Sequence, residues 1–275
     1  MIGATVLALA AAVLHAGWNL RVKTSDDRFV ALWGQLTVSG VCALAGLVLT
    51  GLPERATWPY LLVSGAVHLP YTLALARAYG VGDFSLAYPL ARGGGALVAA
   101  LGGLLLLDDQ LSWLGWLAIM IVGGGLVSFA RPQTSPAAMG WASLVAVLIG
   151  TYTLVDAAGA RRSEGLAYIC AVFVAIAIAV SVWGLLTGQA PAFRRSWTTS
   201  GRHHVGSGVA GLLAYGLVLV AVRWAPVGYV TALRESSVVL AALAGWRLLS
   251  EDLGRARLAS AGVVLSGLVL LVTVR

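Results

Sequence analysis

The sequence predicts an all-α integral membrane protein, with ten transmembrane helices built as two inverted five-helix repeats. Three observations carry this expectation. Of the 275 residues, 59% are apolar and only 11% are charged, with a mean hydropathy of +0.89. Roughly a quarter of a soluble domain is charged, so the outer surface here must face lipid. The chain also divides into ten apolar runs of roughly 20 residues, the length that crosses about 30 Å of hydrocarbon. Finally, the fourth and fifth runs repeat as the ninth and tenth.

The runs, in order, are 2–22, 29–50, 58–80, 85–107, 111–130, 137–157, 166–187, 205–224, 228–249 and 255–274. Turn and charge signals separate them: Ser25-Asp26-Asp27, Gly51-Leu52-Pro53-Glu54, Gly82-Asp83, Asp108-Asp109, Arg131-Pro132, Arg161-Arg162-Ser163-Glu164 and Ser250-Glu251-Asp252. The longest break, 188–204, reads as a polar connection with no room for a folded extramembrane domain. Strands are excluded, because the runs lack sustained alternation and are twice the length of a barrel strand. The 34 glycines fit close helix contacts in lipid, and Gly93-Gly94-Gly95 suggests such a contact or a hinge. Positive residues follow the first run rather than precede it, which predicts a retained first helix and not a cleaved leader.

Sliding the chain by 142 residues aligns 92–127 with 234–269 without a gap, and 12 of the 36 positions are identical. Chance would match roughly one in ten for this composition. The matches include Arg92/Arg234, Leu101/Leu243, Gly103/Gly245, Leu107/Leu249, Leu111/Leu253 and Gly125/Gly267. A weaker echo sets Trp18 opposite Tyr152. Five spans per repeat is an odd number, so the two copies, 1–132 and 133–275, must lie antiparallel in the bilayer. Inverted repeats around a midplane site are the architecture of many secondary transporters.

Particular residues also carry a family likeness. Tyr88-Pro89-Leu90-Ala91-Arg92-Gly93, followed by Leu104–Leu107 and an acidic turn, resembles the fourth span of the drug/metabolite transporter superfamily of the EamA type. Leu233-Arg234-Glu235-Ser236-Ser237 with Leu248-Leu249-Ser250-Glu251 resembles its repeat partner, and His15-Ala16-Gly17-Trp18-Asn19 resembles the opening of the same family. The resemblance implies a transporter of a small molecule or a lipid, since such proteins move amino acids, sugars, nucleotide sugars, drugs and lipid-linked precursors. It does not extend to the span 1 glutamate that small four-helix relatives use for proton coupling. Span 1 here has no carboxylate.

Ionisable residues at membrane depth are costly and mark function by default. Arg92 and Arg234 fall roughly 10 Å and 9 Å inside their spans. They read either as paired guanidinium groups that hold a carboxylate or phosphate, or as snorkelling or structurally paired residues, Arg234 with Glu235. Trp18, Asn19, Tyr71, Tyr88, Tyr152 and Tyr215 complete the candidate substrate site, in a cavity expected among spans 1, 3, 4, 6, 8 and 9. His15, His68 and Glu235 are the candidate proton carriers. Asp156, next to Arg161 and Arg162, reads as a solvated charge.

Several classes are excluded. The net charge of +7 comes from arginines set between apolar runs, not from a nucleic-acid patch. Paired carboxylates and a His-Glu-x-x-His signature are absent from the sequence, so no catalytic residue is expected, nor any cofactor. Cys42 and Cys170 are lone thiols, and His203-His204 is too little for a metal site. With both termini on one side, that side carries five basic residues and the other ten. The positive-inside rule then puts both termini outside the cell, whereas the family resemblance puts both inside. The expected setting is a bacterial inner membrane, as a monomer or homodimer. The expected activity is secondary transport of anionic or zwitterionic metabolites, with a flippase for lipid-linked headgroups as the alternative.

Overall fold

The computed structural model describes the backbone of residues 2–81, 84–128, 135–240 and 255–274, and the side chains of these except 20, 23, 84–89 and 255–258. The helices are α1 (Ile2–Lys23), α2 (Arg28–Thr50), α3 (Trp58–Val81), α4 (Phe84–Leu106), α5 (Trp113–Val127), α6 (Pro136–Arg161), α7 (Ala167–Leu186), α8 (Ala190–Ala221), α9 (Val227–Arg234) and α10 (Arg255–Thr273). No strand occurs among the described residues. Local chemistry sets the ends. Asp27, Ser112 and Ser135 cap α2, α5 and α6 by accepting from the amides of Val30, Gly115 and Ala138. Gly51 and Gly188, at φ 78° and 74°, close α2 and follow α7 in a conformation that L side chains resist.

Among the described residues, α1, α2, α3, α6, α7 and α8 are long and apolar enough to cross a membrane. Their outward faces carry large apolar side chains, with Val48, Leu49 and Leu186 at least 80% exposed. Such a surface is stable only against lipid. The ten-span expectation is met less fully elsewhere. α4 has 23 residues and is apolar over 90–106, and α10 is apolar over 259–273. α5 has 15 residues, shorter than the expected 111–130, because the Ser112 cap starts it late and the chain turns at Ser128. The expected ninth span is described only to Leu240. α9 stops at Arg234, Glu235 is a turn, and helix resumes over 236–240; the rest lies outside the described residues.

The expected connection at 188–204 is a correction. From Ala190 onward it forms the first turns of α8, which runs unbroken for 32 residues. Pro191 sits at the helix start, where its missing N–H is harmless. Phe193 then stacks on Trp33 of α2, with ring centroids 4.0 Å apart, while Trp33 donates its indole N–H to Ser181 of α7. Trp197 meets Phe193 and His204 on the same face. The segment is therefore amphipathic helix, whose polar composition disguised it.

Packing follows a regular scheme. α2 lies against α7, α5 against α10, α3 and α4 against α6, and α8 and α9 against α1. Exchanging the first five helices for the last five returns α2–α7 and α5–α10 to themselves and turns α3–α6 and α4–α6 into α8–α1 and α9–α1. The detail at α5 and α10 is sharp. A Cβ at Gly125 would lie 2.8 Å from Val264 Cγ2, and a Cβ at Gly267 would lie 2.8 Å from Val122 Cγ2. Gly93, Gly94 and Gly95 press α4 onto Leu126, Ala146 and Ile149.

Candidate functional site

Where the helices converge they line a partly open cavity of about 70 Å³. α1 supplies His15 and Trp18, α2 Gln35, α3 His68 and Tyr71, α6 Tyr152, α7 Phe173 and Ile176, α8 Tyr215, and α9 Arg234. Seven of the expected site residues thus share one wall: Trp18, Tyr71, Tyr152, Tyr215, Arg234, His15 and His68. The rings form a continuous aromatic lining. His68 lies 4.1 Å from Tyr152 between centroids, and Tyr152 lies 5.1 Å from Tyr71 and 5.7 Å from Tyr215. His15 and Trp18 meet edge to face at 4.7 Å.

The remaining expected residues sit elsewhere. Asn19 is behind the wall, donating to the His15 carbonyl and accepting from the Tyr79 hydroxyl. The Tyr88 side chain lies outside the described residues. Arg92 and Glu235 are buried together as an ion pair and do not line the cavity. This corrects the alternative that paired Glu235 with Arg234: consecutive helix positions point in different directions, so the carboxylate reaches across to α4 instead.

That pairing leaves Arg234 distinct. It is 4% exposed, its Nε has no hydrogen-bond partner, and its guanidinium carbon lies 5.7 Å from the Tyr215 ring centroid. Buried polar atoms without a partner are rare in folded proteins. Among the described side chains they are Trp18 Nε1, Gln35 Oε1, Thr153 Oγ1 and Arg234 Nε. Three of the four belong to residues lining this one cavity. Two are N–H donors and one is an acceptor. Gln35 was missed in the sequence because a lone glutamine in an apolar run carries no motif. The expected lining also shifts, with α2 and α7 contributing and, among the described side chains, none from α4.

Asp156 is the second correction. It is 0% exposed rather than solvated, accepting from Tyr215 Oη at 2.7 Å and from Tyr168 Oη at 3.3 Å. Its neighbours in sequence point elsewhere. Arg161 pairs with Asp109 at 2.8 Å, and Arg162 lies over the Tyr60 ring. Five residues of helix turn the chain through about 500°, so Asp156 and Arg161 face apart.

One end of the bundle is tied shut by its connections. Arg161 also donates to the carbonyls of Leu107, Val222 and Ala225, and Asp109 accepts from the Val227 amide at the start of α9. Glu54 accepts from the Ser163 hydroxyl and the Glu164 amide. The Ser163 hydroxyl, with the amides of Glu54 and Glu164, holds the exposed Glu54 carboxyl below the usual carboxylate range. At the other end, a polar vestibule of about 630 Å³ is lined by Arg21, Asp26, Arg195, Ser196 and His203. Beside it, a groove of about 330 Å³ between α1 and α8 shares Arg21 with the vestibule and Trp18 with the central cavity. No metal-ligating cluster occurs among the described residues.

One solved structure, described only as a crystal structure of a protein, is similar to this chain over 99% of both chains. Its TM-score is 0.77 and its sequence identity 15%, which establishes the shared fold alone. No curated protein matches the sequence. The model of the EamA-like transporter family matches residues 136–273, which begin at the first residue of α6 and end with α10. The match covers half of the chain, and the apolar helices of the bundle have the length and composition of membrane spans. The chain belongs to the EamA-like transporter family and is an integral membrane transporter of the drug/metabolite transporter kind.

Proposed function

We propose that the protein is a secondary transporter of a small zwitterionic or anionic metabolite, an α-amino acid in the first instance, working by alternating access. The observation that carries this reading is the convergence of Trp18 Nε1, Gln35 Oε1 and Arg234 Nε, all buried and unpartnered, on residues of one cavity. A carboxylate would accept from Arg234 and Trp18, an ammonium group would donate to Gln35, and the aromatic rings would face the cation. A single guanidinium with no salt-bridged carboxylate among the described residues suits one negative charge better than a phosphate dianion.

The repeats would lie inverted, with 1–132 and 133–275 rocking against one another. The exchange symmetry of the packing supports this, above all Gly125 on Val264 and Gly267 on Val122. A cavity of about 70 Å³ is far below the roughly 300 Å³ of an ordinary ligand pocket. The site must therefore expand to bind, and the two unlike ends suit an intermediate closed around Arg161 and Asp109 and wetter at the vestibule. The proposed setting is a bacterial plasma membrane.

The groove between α1 and α8 favours one other reading, a flippase for a lipid headgroup, because it leads from the flank of the bundle to Trp18. Thermal shifts of the purified protein with amino acids, monocarboxylates and phospholipids separate the two. The expected result is stabilisation by a soluble zwitterion or anion, lost in Arg234→Ala. Stabilisation by lipid alone, undiminished in Arg234→Ala, overturns the metabolite reading.

A further inference from the structure

We propose that Asp156 is a proton-binding site linked to anion binding at Arg234, which makes the protein a proton-coupled carrier. The linkage rests on the preceding reading of Arg234; the proton site does not. Asp156 is fully buried on α6, and every element packed on that helix shows what it faces. From α7 comes the Tyr168 hydroxyl, and from α8 the Tyr215 hydroxyl. α3 presents the buried Ser64, whose hydroxyl bonds Asp156, and, one turn on, His68, whose Nδ1 is bonded to Ser64. α4 brings Arg92, which is engaged by Glu235. α9 brings Arg234, over the ring of Tyr215. On α6 itself Arg161 is committed to Asp109, and Tyr152 faces the cavity.

No described cation forms a salt bridge with Asp156, and its hydrogen-bond donors are neutral hydroxyls, those of Tyr215, Tyr168 and Ser64. A carboxylate at membrane depth with only neutral donors can hold a charge or a proton without dismantling its surroundings. A pairing cation would fix it as charged. Here Tyr215 can serve either form, donating to the carboxylate or accepting from the acid.

Tyr215 also joins the two sites. Its hydroxyl donates to Asp156 and its ring lies under Arg234. An anion on Arg234 would add a negative charge near Asp156 across a poorly screening interior. Ionised Asp156 repels that charge and protonated Asp156 does not, so proton and anion each raise the affinity for the other. The carboxyl also lies five residues from the end of α6, behind the ties at Arg161. Opening those ties would expose it to the solvent on that face, as a coupling site requires.

The test is infrared titration of the full-length protein in lipid, with acetate as the anion probe. A protonated carboxyl band that titrates with pH is expected, absent in Asp156→Asn and displaced in Asp156→Glu. Acetate should raise the proton affinity reported by that band about fivefold or more, and not in Arg234→Ala. If no band depends on Asp156, the proton site is wrong, whatever acetate does. A band that acetate leaves unmoved, while acetate still stabilises the protein, overturns the linkage. Acetate that does not bind at all overturns the linkage together with the Arg234 reading, and leaves the proton site standing on the titration alone.

Discussion

Arg92 of α4 and Glu235, just past the end of α9, form a two-pronged ion pair, Nε to Oε2 at 3.1 Å and Nη2 to Oε1 at 2.7 Å. Both are almost fully buried, at 4% and 2% exposure. The pair joins the two halves of the chain and distinguishes its two repeated arginines. Glu235 stands where the first half has Gly93, so only the second half supplies a carboxylate, and it reaches back to Arg92. Arg92→Ala or Glu235→Ala leaves an uncompensated buried charge, with an expected loss of about 3–5 kcal/mol. The double variant should lose less than the sum of the two, measured by chemical denaturation in detergent. Additive losses would show that the two groups act independently.

The contact between α5 and α10 predicts matched effects in the two halves. A Cβ at Gly125 would meet Val264 N at 3.0 Å, and one at Gly267 would meet Val122 N at 2.9 Å. Backbone cannot give way as a flexible side chain can. Gly125→Ala and Gly267→Ala should each cost about 1–3 kcal/mol, with similar drops in melting temperature. A large effect in one half and none in the other would contradict the shared geometry.

Glu54 predicts a pH dependence outside the membrane. Its folded-state pKa is depressed, chiefly by the Ser163 hydroxyl. Its contribution is therefore present above the unfolded value of about 4.3 and lost as pH falls through the lower folded value. Melting temperatures of wild type and Glu54→Gln should differ near neutral pH and converge in acid. A difference that persists unchanged down to pH values below the folded pKa would mean that the carboxylate's charge is irrelevant there.

The start of α8 predicts a local effect. Phe193→Ala removes the stack on Trp33, worth about 1 kcal/mol. Amide exchange should quicken over 190–204 and stay unchanged in the lower part of α8. Exchange that is already fast in the wild-type segment would mean that the stack does not hold it.

By itself, the sequence determined what depends on short-range pattern. Low charge and long apolar runs specify helices in lipid, because a backbone in hydrocarbon must satisfy its own hydrogen bonds. The 142-residue repeat, through positions such as Gly125 and Gly267, identified residues that later met as mirrored contacts. Trp18, Tyr71, Tyr152, Tyr215, His15, His68 and Arg234 were legible as polar or aromatic residues inside apolar runs. The tertiary structure decided which buried charges are neutralised, because ion pairing depends on helix facing and not on nearness in sequence. Thus Glu235 turned from its neighbour Arg234 to Arg92, Asp156 turned from Arg161 to neutral hydroxyls, and Gln35 entered the cavity unannounced. The polar stretch at 188–204 became helix for a similar reason: its hydrophobic stripe gains value only from Trp33, 160 positions before Phe193 in the chain. Hydrophobic pattern fixes the spans, and the relative rotation of packed helices fixes the electrostatics of the site.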